Sequence, residues 1–183
     1  AAPQTLINSL GSGVGGAMSA SVINVGGVGF VQIIPDASGT TFQFVEHGAY
    51  QLLQADQTTP FGAHDLTVSY SVRGTGSFID FSALRFTSGE IGLYSDPNFD
   101  FATSATHYGV DNGVNVASFS VDDGGVSTSG LVTVKAHLDA GTLLPGYLFS
   151  TDGSDLTNHT NVQIELGVFN APTAPDELLI SGV

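Results

Sequence analysis

The sequence predicts an all-β, antiparallel protein, a β-sandwich or jelly-roll-like fold in a single domain with extended terminal arms. Three observations point there: repeated alternation of apolar and polar residues, glycine-rich turn signals between the alternating stretches, and no long run with helical periodicity and caps. At 183 residues the chain is the length of one domain. Period-two alternation places every second side chain on the same face of a strand, so one face is buried and the other wet.

The clearest stretch is Leu66-Thr67-Val68-Ser69-Tyr70-Ser71-Val72-Arg73, in which every odd-numbered member is polar. Val132, Val134, Ala136 and Leu138 interleave with Thr133, Lys135 and His137 in the same way, and Val162, Ile164 and Leu166 interleave with Gln163 and Glu165. Weaker strand signals cover 20–25, 28–34, 40–46, 78–81, 90–95, 116–121 and 178–181. The segment 47–56, with Tyr50, Leu52, Leu53 and Ala55, is the one place where a short helix or turn is expected. Turns are predicted at Pro35-Asp36-Ala37-Ser38-Gly39, Asp111-Asn112-Gly113, Asp122-Asp123-Gly124-Gly125 and Thr151-Asp152-Gly153-Ser154. These residue types tolerate positive φ or bond their own backbone.

The ends differ from the middle. Residues 1–16 read as an N-terminal arm and glycine-rich hinge, and 17–183 as the β-sandwich domain. Leu6, Ile7 and Leu10 lie in a short apolar segment set off by Gly11-Ser12-Gly13-Val14-Gly15-Gly16. Such a segment can leave its own domain and complete the sheet of a neighbour, which makes these three residues a candidate assembly interface. The alternative is that it forms the first strand of its own domain. Leu178 to Ile180, behind Pro172 and Pro175, is a second candidate donor.

Charge narrows the range of partners. Seventeen acidic residues face only Arg73, Arg85 and Lys135, a formal charge of −14. Binding a phosphate backbone requires several cations in one groove, so nucleic acid is not an expected partner, nor is an anionic membrane surface. No apolar run approaches the roughly 20 residues of a membrane span, so no membrane insertion is expected. With no cysteine, neither disulfides nor thiolate metal sites are available. The start Ala1-Ala2-Pro3-Gln4 reads as that of a mature, secreted, extracellular chain.

No constellation points to catalysis, and the chain is not expected to be an enzyme. The glycines at 11–16 match a dinucleotide fingerprint only formally, because Gly26, Gly27 and Gly29 interrupt the helix that should follow. No Gly-x-Ser-x-Gly elbow occurs, and His47, His64, His107, His137 and His159 share no metal-ligand spacing. The best candidate site is Asp96-Pro97-Asn98-Phe99-Asp100. In an extended segment, alternation puts Asp96, Asn98 and Asp100 on one face, and hard oxygen donors of this kind suit Ca²⁺. A plain strand-to-loop turn is the competing reading. Asp122, Asp123, Asp152, Asp155 and Asn158 are weaker candidates.

Gly74-Thr75-Gly76-Ser77-Phe78, followed by Phe86-Thr87-Ser88-Gly89-Glu90-Ile91-Gly92-Leu93-Tyr94 running into Ser95-Asp96-Pro97-Asn98-Phe99-Asp100, resembles the flocculation-associated PEP-CTERM family of exported bacterial matrix proteins. The last element is similar to that family's Leu-Tyr-x-Asp-Pro-Asn, and the order of features extends from about Ser69 to Val183. The resemblance implies a secreted protein of biofilm or floc, set in a sugar-rich matrix, and carries no chemistry to particular residues. The expected function is therefore a structural subunit of extracellular matrix or filament, a homopolymer assembled by strand donation. The alternative is a secreted, Ca²⁺-dependent carbohydrate-binding or adhesive module whose partner is extracellular polysaccharide.

Overall fold

The computed structural model describes residues 4–103, 107–127, 130–169 and 176–181. Its strands are β1 (Thr5–Ile7), β2 (Met18–Ala20), β3 (Ile23–Pro35), β4 (Thr41–Leu53), β5 (Asp65–Ser77), β6 (Arg85–Asp96), β7 (Val114–Val126), β8 (Leu131–Leu138), β9 (Leu148–Ser150), β10 (Gln163–Phe169) and β11 (Asp176–Ser181). The fold is all-β and antiparallel, as the alternation predicts. Eight strands close in the order β3-β4-β5-β6-β7-β8-β10-β11, with β11 returning to β3. The two facing layers of a sandwich are here opposite walls of one barrel, and its strands follow one another in chain order except that β9 leaves to join β1.

Inward residues pack the barrel solid. Val68, Val72, Ile91, Leu93 and Phe119 are fully buried, and Ile164, Leu166 and Leu178 meet them from the other wall. Each such side chain contributes about 1.5–3 kcal/mol through removal from water. Ser71, Arg73, Lys135 and His137 alternate with them on the outside. This is the reverse of a lipid-facing barrel, which is apolar outside. Among the described residues no helix is long and apolar enough to cross a membrane.

One end is capped by a three-stranded sheet, β2-β1-β9. The N-terminal segment thus takes the second of the two alternatives, for β1 is hydrogen-bonded on both edges within its own chain. Ile7 is 2% exposed, Leu6 is half-buried and Leu10 lies open. Thr5 Oγ1 donates to the Ile180 carbonyl at 2.9 Å, and Ser9 Oγ accepts from the amides of Ala63 (2.9 Å) and His64 (3.0 Å). The division at residue 16 therefore separates no independent arm. The glycine-rich stretch is a clamped turn: Asn8 Nδ2 donates to the carbonyls of Gly13 and Gly15, while Asn8 Oδ1 accepts from Leu10 N at 3.0 Å. Gly11, at φ +66°, lies so close to the Tyr147 ring that a Cβ there would come within 2.7 Å of it. Leu178 and Ile180 are buried in β11, which closes the barrel, and the 170–175 spacer lies outside the described residues.

Three local expectations are corrected. Asp122-Asp123-Gly124-Gly125, expected to turn, runs on inside β7 and stays paired with β8 after a register shift between Val121 and Asp123. Residues 47–53 continue β4 and form no helix, and only the end of the 47–56 segment turns, with Gln57 N bonding the Gln54 carbonyl at 2.9 Å. Ala49 and Tyr50 are both buried, as are Leu52 and Leu53, because the outer face is covered here as well as the inner one. Leu53 is bridged to Pro60, and Phe61 N bonds the Leu52 carbonyl. The 78–81 segment is a turn in which Asp80 caps a short 3-10 turn, Phe81–Ala83, by accepting from Ser82 N.

The opposite end of the barrel is less covered. β11 pairs with β3 only at Ile23, Asn24 and Val25, whereas β4 pairs with it out to Pro35. Among the described residues, no strand flanks the second edge of β3 beyond Val25. Phe30 is 69% exposed, and Val28, Val31, Ile33 and Ile34 are each more than two-fifths exposed. At the same end Phe78, Ile79 and Phe81 are also open, with the Phe78 ring 4.7 Å from that of Phe42.

Candidate functional site

A groove of about 830 Å³ crosses the outside of the barrel from β3 to β7. Its floor is the polar outer face of β4, β5 and β6, including His47, Ser69, Ser71 and Glu90. Phe30 forms one rim, and His107, Tyr108 and Asp111 of the loop 97–113 overhang the other. Gly92 leaves room for Tyr94 to lie across the floor; a Cβ on Gly92 would stand 2.8 Å from Tyr94 Cε2. Burial, and then the negative charge of Asp111, raise the Tyr94 phenol above its ordinary value. It remains a hydrogen-bond donor at neutral pH.

The described residues of this loop, 97–103 and 107–113, are tightly shaped. Ala102, His107 and Tyr108 adopt positive φ (66°, 47° and 57°) although none is glycine. Such conformations carry strain of about 1–3 kcal/mol each and need the surrounding contacts to hold them. Those contacts include Ala102 N to the Tyr108 carbonyl (2.8 Å), Thr67 Oγ1 to the Val110 carbonyl (2.5 Å) and His107 Nδ1 beside Asp111 Oδ2 (2.9 Å).

Beneath the loop lies an acidic corner. Asp65 opens β5, Asp96 closes β6, and their Cα atoms are direct partners in the ladder. Asp65 is 0% exposed and Asp96 6%. Gln51 Nε2 donates to Asp65 Oδ1 at 2.8 Å, but Asp65 Oδ2 has no hydrogen-bond partner. Burial raises the Asp65 carboxyl above its ordinary value; hydrogen bonding from Gln51 and the Phe101 amide opposes this, and the charges of Asp100 and Asp96 add to it. Asp100 Oδ2 accepts from Asn112 Nδ2 at 2.6 Å, whereas Asp100 Oδ1 is buried without a partner.

Asp96, Asn98 and Asp100 do not form one face of an extended segment, because β6 ends at Asp96 and the chain turns. Asp96 Oδ1 accepts from the Asn98 amide at 2.8 Å, as in a turn, and Asn98 is exposed. Among the described residues, no three His, Cys, Asp or Glu side chains form a metal-holding group by themselves. The structure adds Asp65, which lies 31 positions before Asp96 and reaches it only through hairpin register. Asp122 pairs with His137 (2.5 Å), and Asp152 and Asp155 cap turns at Ser154 and Thr157. Leu6, Ile7 and Leu10 belong to the cap described above and lie away from the open edge of β3. Comparison with protein-family models, curated proteins and solved structures finds no match.

Proposed function

We propose that this chain is a structural subunit of extracellular matrix that associates with copies of itself through the edge of β3. The carrying observation is the stretch Gly26–Pro35, which has no strand partner on its second edge among the described residues, holds no charged residue and exposes Val28, Phe30, Val31, Ile33 and Ile34. Edge strands of this length and apolarity are templates for pairing unless charges or proline protect them. In a molecule of charge −14 the uncharged edge is also where two copies approach with least repulsion. The resemblance of Gly74–Asp100 to exported matrix proteins supports the extracellular setting.

Strand donation by Thr5–Leu10 gives way in this proposal to edge pairing, since β1 already fills a place in its own chain. The exposed Phe78, Ile79 and Phe81 lie at the same end and extend the apolar surface. Electron microscopy of the purified chain tests the idea. Wild-type protein forms filaments or ordered clusters, and a chain with Phe30→Lys and Ile34→Lys does not.

A second reading is favoured by the groove. Sugar rings stack on aromatic faces while their hydroxyls bond acidic and hydroxyl side chains, and Phe30, Tyr94, Tyr108, Glu90, Ser69 and Ser71 supply both kinds of group. The surrounding negative charge selects neutral or amino sugars over uronates. Binding on a glycan array, lost with Tyr94→Ala, tests it.

A further inference from the structure

Burial leaves the corner between β5 and β6 electrostatically incomplete. Asp65 Oδ2 and Asp100 Oδ1 are two buried carboxylate oxygens without hydrogen bonds, and Asp96 adds a third carboxylate across the ladder. An ionised carboxylate away from water is strongly unfavourable unless something positive meets it. Among the described residues the ion pairs are His107–Asp111 and His137–Asp122, so no lysine or arginine meets these three. Either a proton or a cation completes the corner.

We propose that the two bare carboxylate oxygens of Asp65 and Asp100 are the seat of a Ca²⁺ ion that pins residues 97–103 and 107–113 to the capped end of the barrel. The donors are all hard oxygens, with neither thiol nor imidazole among them, which suits Ca²⁺ over transition metals. Ca²⁺ takes six to eight oxygens in all; two bare carboxylate oxygens supply the first ligands, and backbone carbonyls and water fill the rest. The same loop carries Asn112, which holds the other oxygen of Asp100, and Gly109, whose backbone packs on the Asp100 carboxylate: a Cβ on Gly109 would stand 2.8 Å from Asp100 Oδ1. An ion here therefore fixes both sides of the loop. It also holds the strained His107 and Tyr108 over the groove.

The seat lies at the capped end, whereas Phe30–Ile34 run toward the open end, so its failure and that of edge association are separable. Calorimetric melting at neutral pH compares millimolar Ca²⁺ with chelator at matched ionic strength. Wild type melts several degrees higher with Ca²⁺. Asp65→Asn, whose carbonyl oxygen can still accept from Gln51, folds and melts at or above the wild-type chelator value but gains nothing from Ca²⁺. Asp100→Asn loses the increment too, and Asp123→Asn, on an exposed strand position, keeps it. Terbium luminescence sensitised by tyrosine gives a second readout, present in wild type and absent in Asp65→Asn. The proposal is overturned if wild type melts identically in Ca²⁺ and chelator, which would mean that a proton completes the corner. It is equally overturned if Asp65→Asn keeps the increment or Asp123→Asn loses it, which would mean that Ca²⁺ only screens the overall charge.

Discussion

Gly48 lies directly against the ring of Tyr70, its partner across the β4–β5 ladder; a Cβ on Gly48 would come within 2.1 Å of Tyr70 Cε1. The Tyr70 ring in turn stacks on Tyr50, with centroids 5.8 Å apart and planes 13° from parallel. Gly48→Ala must displace the ring or the strand, at a cost of about 1–3 kcal/mol. Urea denaturation reads this as a lower midpoint with unchanged slope, and a midpoint equal to wild type would contradict the packing described.

Asn8 ties β1 to the glycine turn through bonds from its Nδ2 to Ser12 Oγ and to the carbonyls of Gly13 and Gly15, and its Oδ1 accepts from Leu10 N. Asn8→Ala removes the clamp and leaves polar backbone groups without partners, at a cost of about 1–3 kcal/mol. Limited proteolysis should then cut within 11–16 faster than in wild type, with the barrel surviving. Unchanged cleavage would show that the turn stands without Asn8.

Stability depends on pH through two opposed sets of acids. Glu46 is the Cα partner of fully buried Val72 and so lies on the inner face, where burial raises it above 4.5; Asp65 is raised above 3.8. A raised acid binds more protons folded than unfolded, so stability falls as pH climbs from the ordinary value through the raised one. Asp56 and Asp152, lowered to about 2 by hydrogen bonds from Thr59 and from Ser150 respectively, act oppositely, and their contribution is lost as pH falls from 3.8 toward about 2. Maximum stability is expected on the acid side of neutrality. Glu46→Gln should flatten the decline toward neutral pH, measured by urea denaturation at several pH values and low protein concentration; an unchanged slope would contradict the burial of Glu46.

Net charge vanishes near the sequence pI of about 4.1, and repulsion between copies vanishes with it. Light scattering should therefore rise steeply as pH falls toward 4, and less so for Phe30→Lys with Ile34→Lys. A flat trace from neutral pH to pH 4 would contradict self-association.

The barrel walls were legible wherever one face is wet. The alternation in Leu66–Arg73 gave β5 with its buried even-numbered members, and Val132–Leu138 gave β8. It failed at Ala49–Leu53, where a loop covers the outer face and erases the polar half of the pattern. The closure of the sheet was not legible, because strand order depends on which edges meet. The N-terminal segment was recognised as a strand-like element, but its partner was not, since the same short apolar stretch suits a neighbour or its own cap. Asp96, Asn98 and Asp100 stand out in the sequence as alternating oxygen donors, but for one face of an extended segment and not for the turn that Asp96 and the Asn98 amide form. Asp65 does not stand out, because its nearness to them comes from register across a hairpin, and Gly92 and Tyr94 gave no sign of a groove until the loop was placed over them.

Sedimentation velocity across a concentration series tests the central claim, that copies join through the β3 edge. Wild type should show reversible, concentration-dependent growth beyond the monomer. Phe30→Lys with Ile34→Lys should remain monomeric, although the two added positive charges reduce repulsion between copies and by charge alone would favour association. A wild-type chain that stays monomeric at high concentration, or a double variant that assembles as wild type does, would contradict the account.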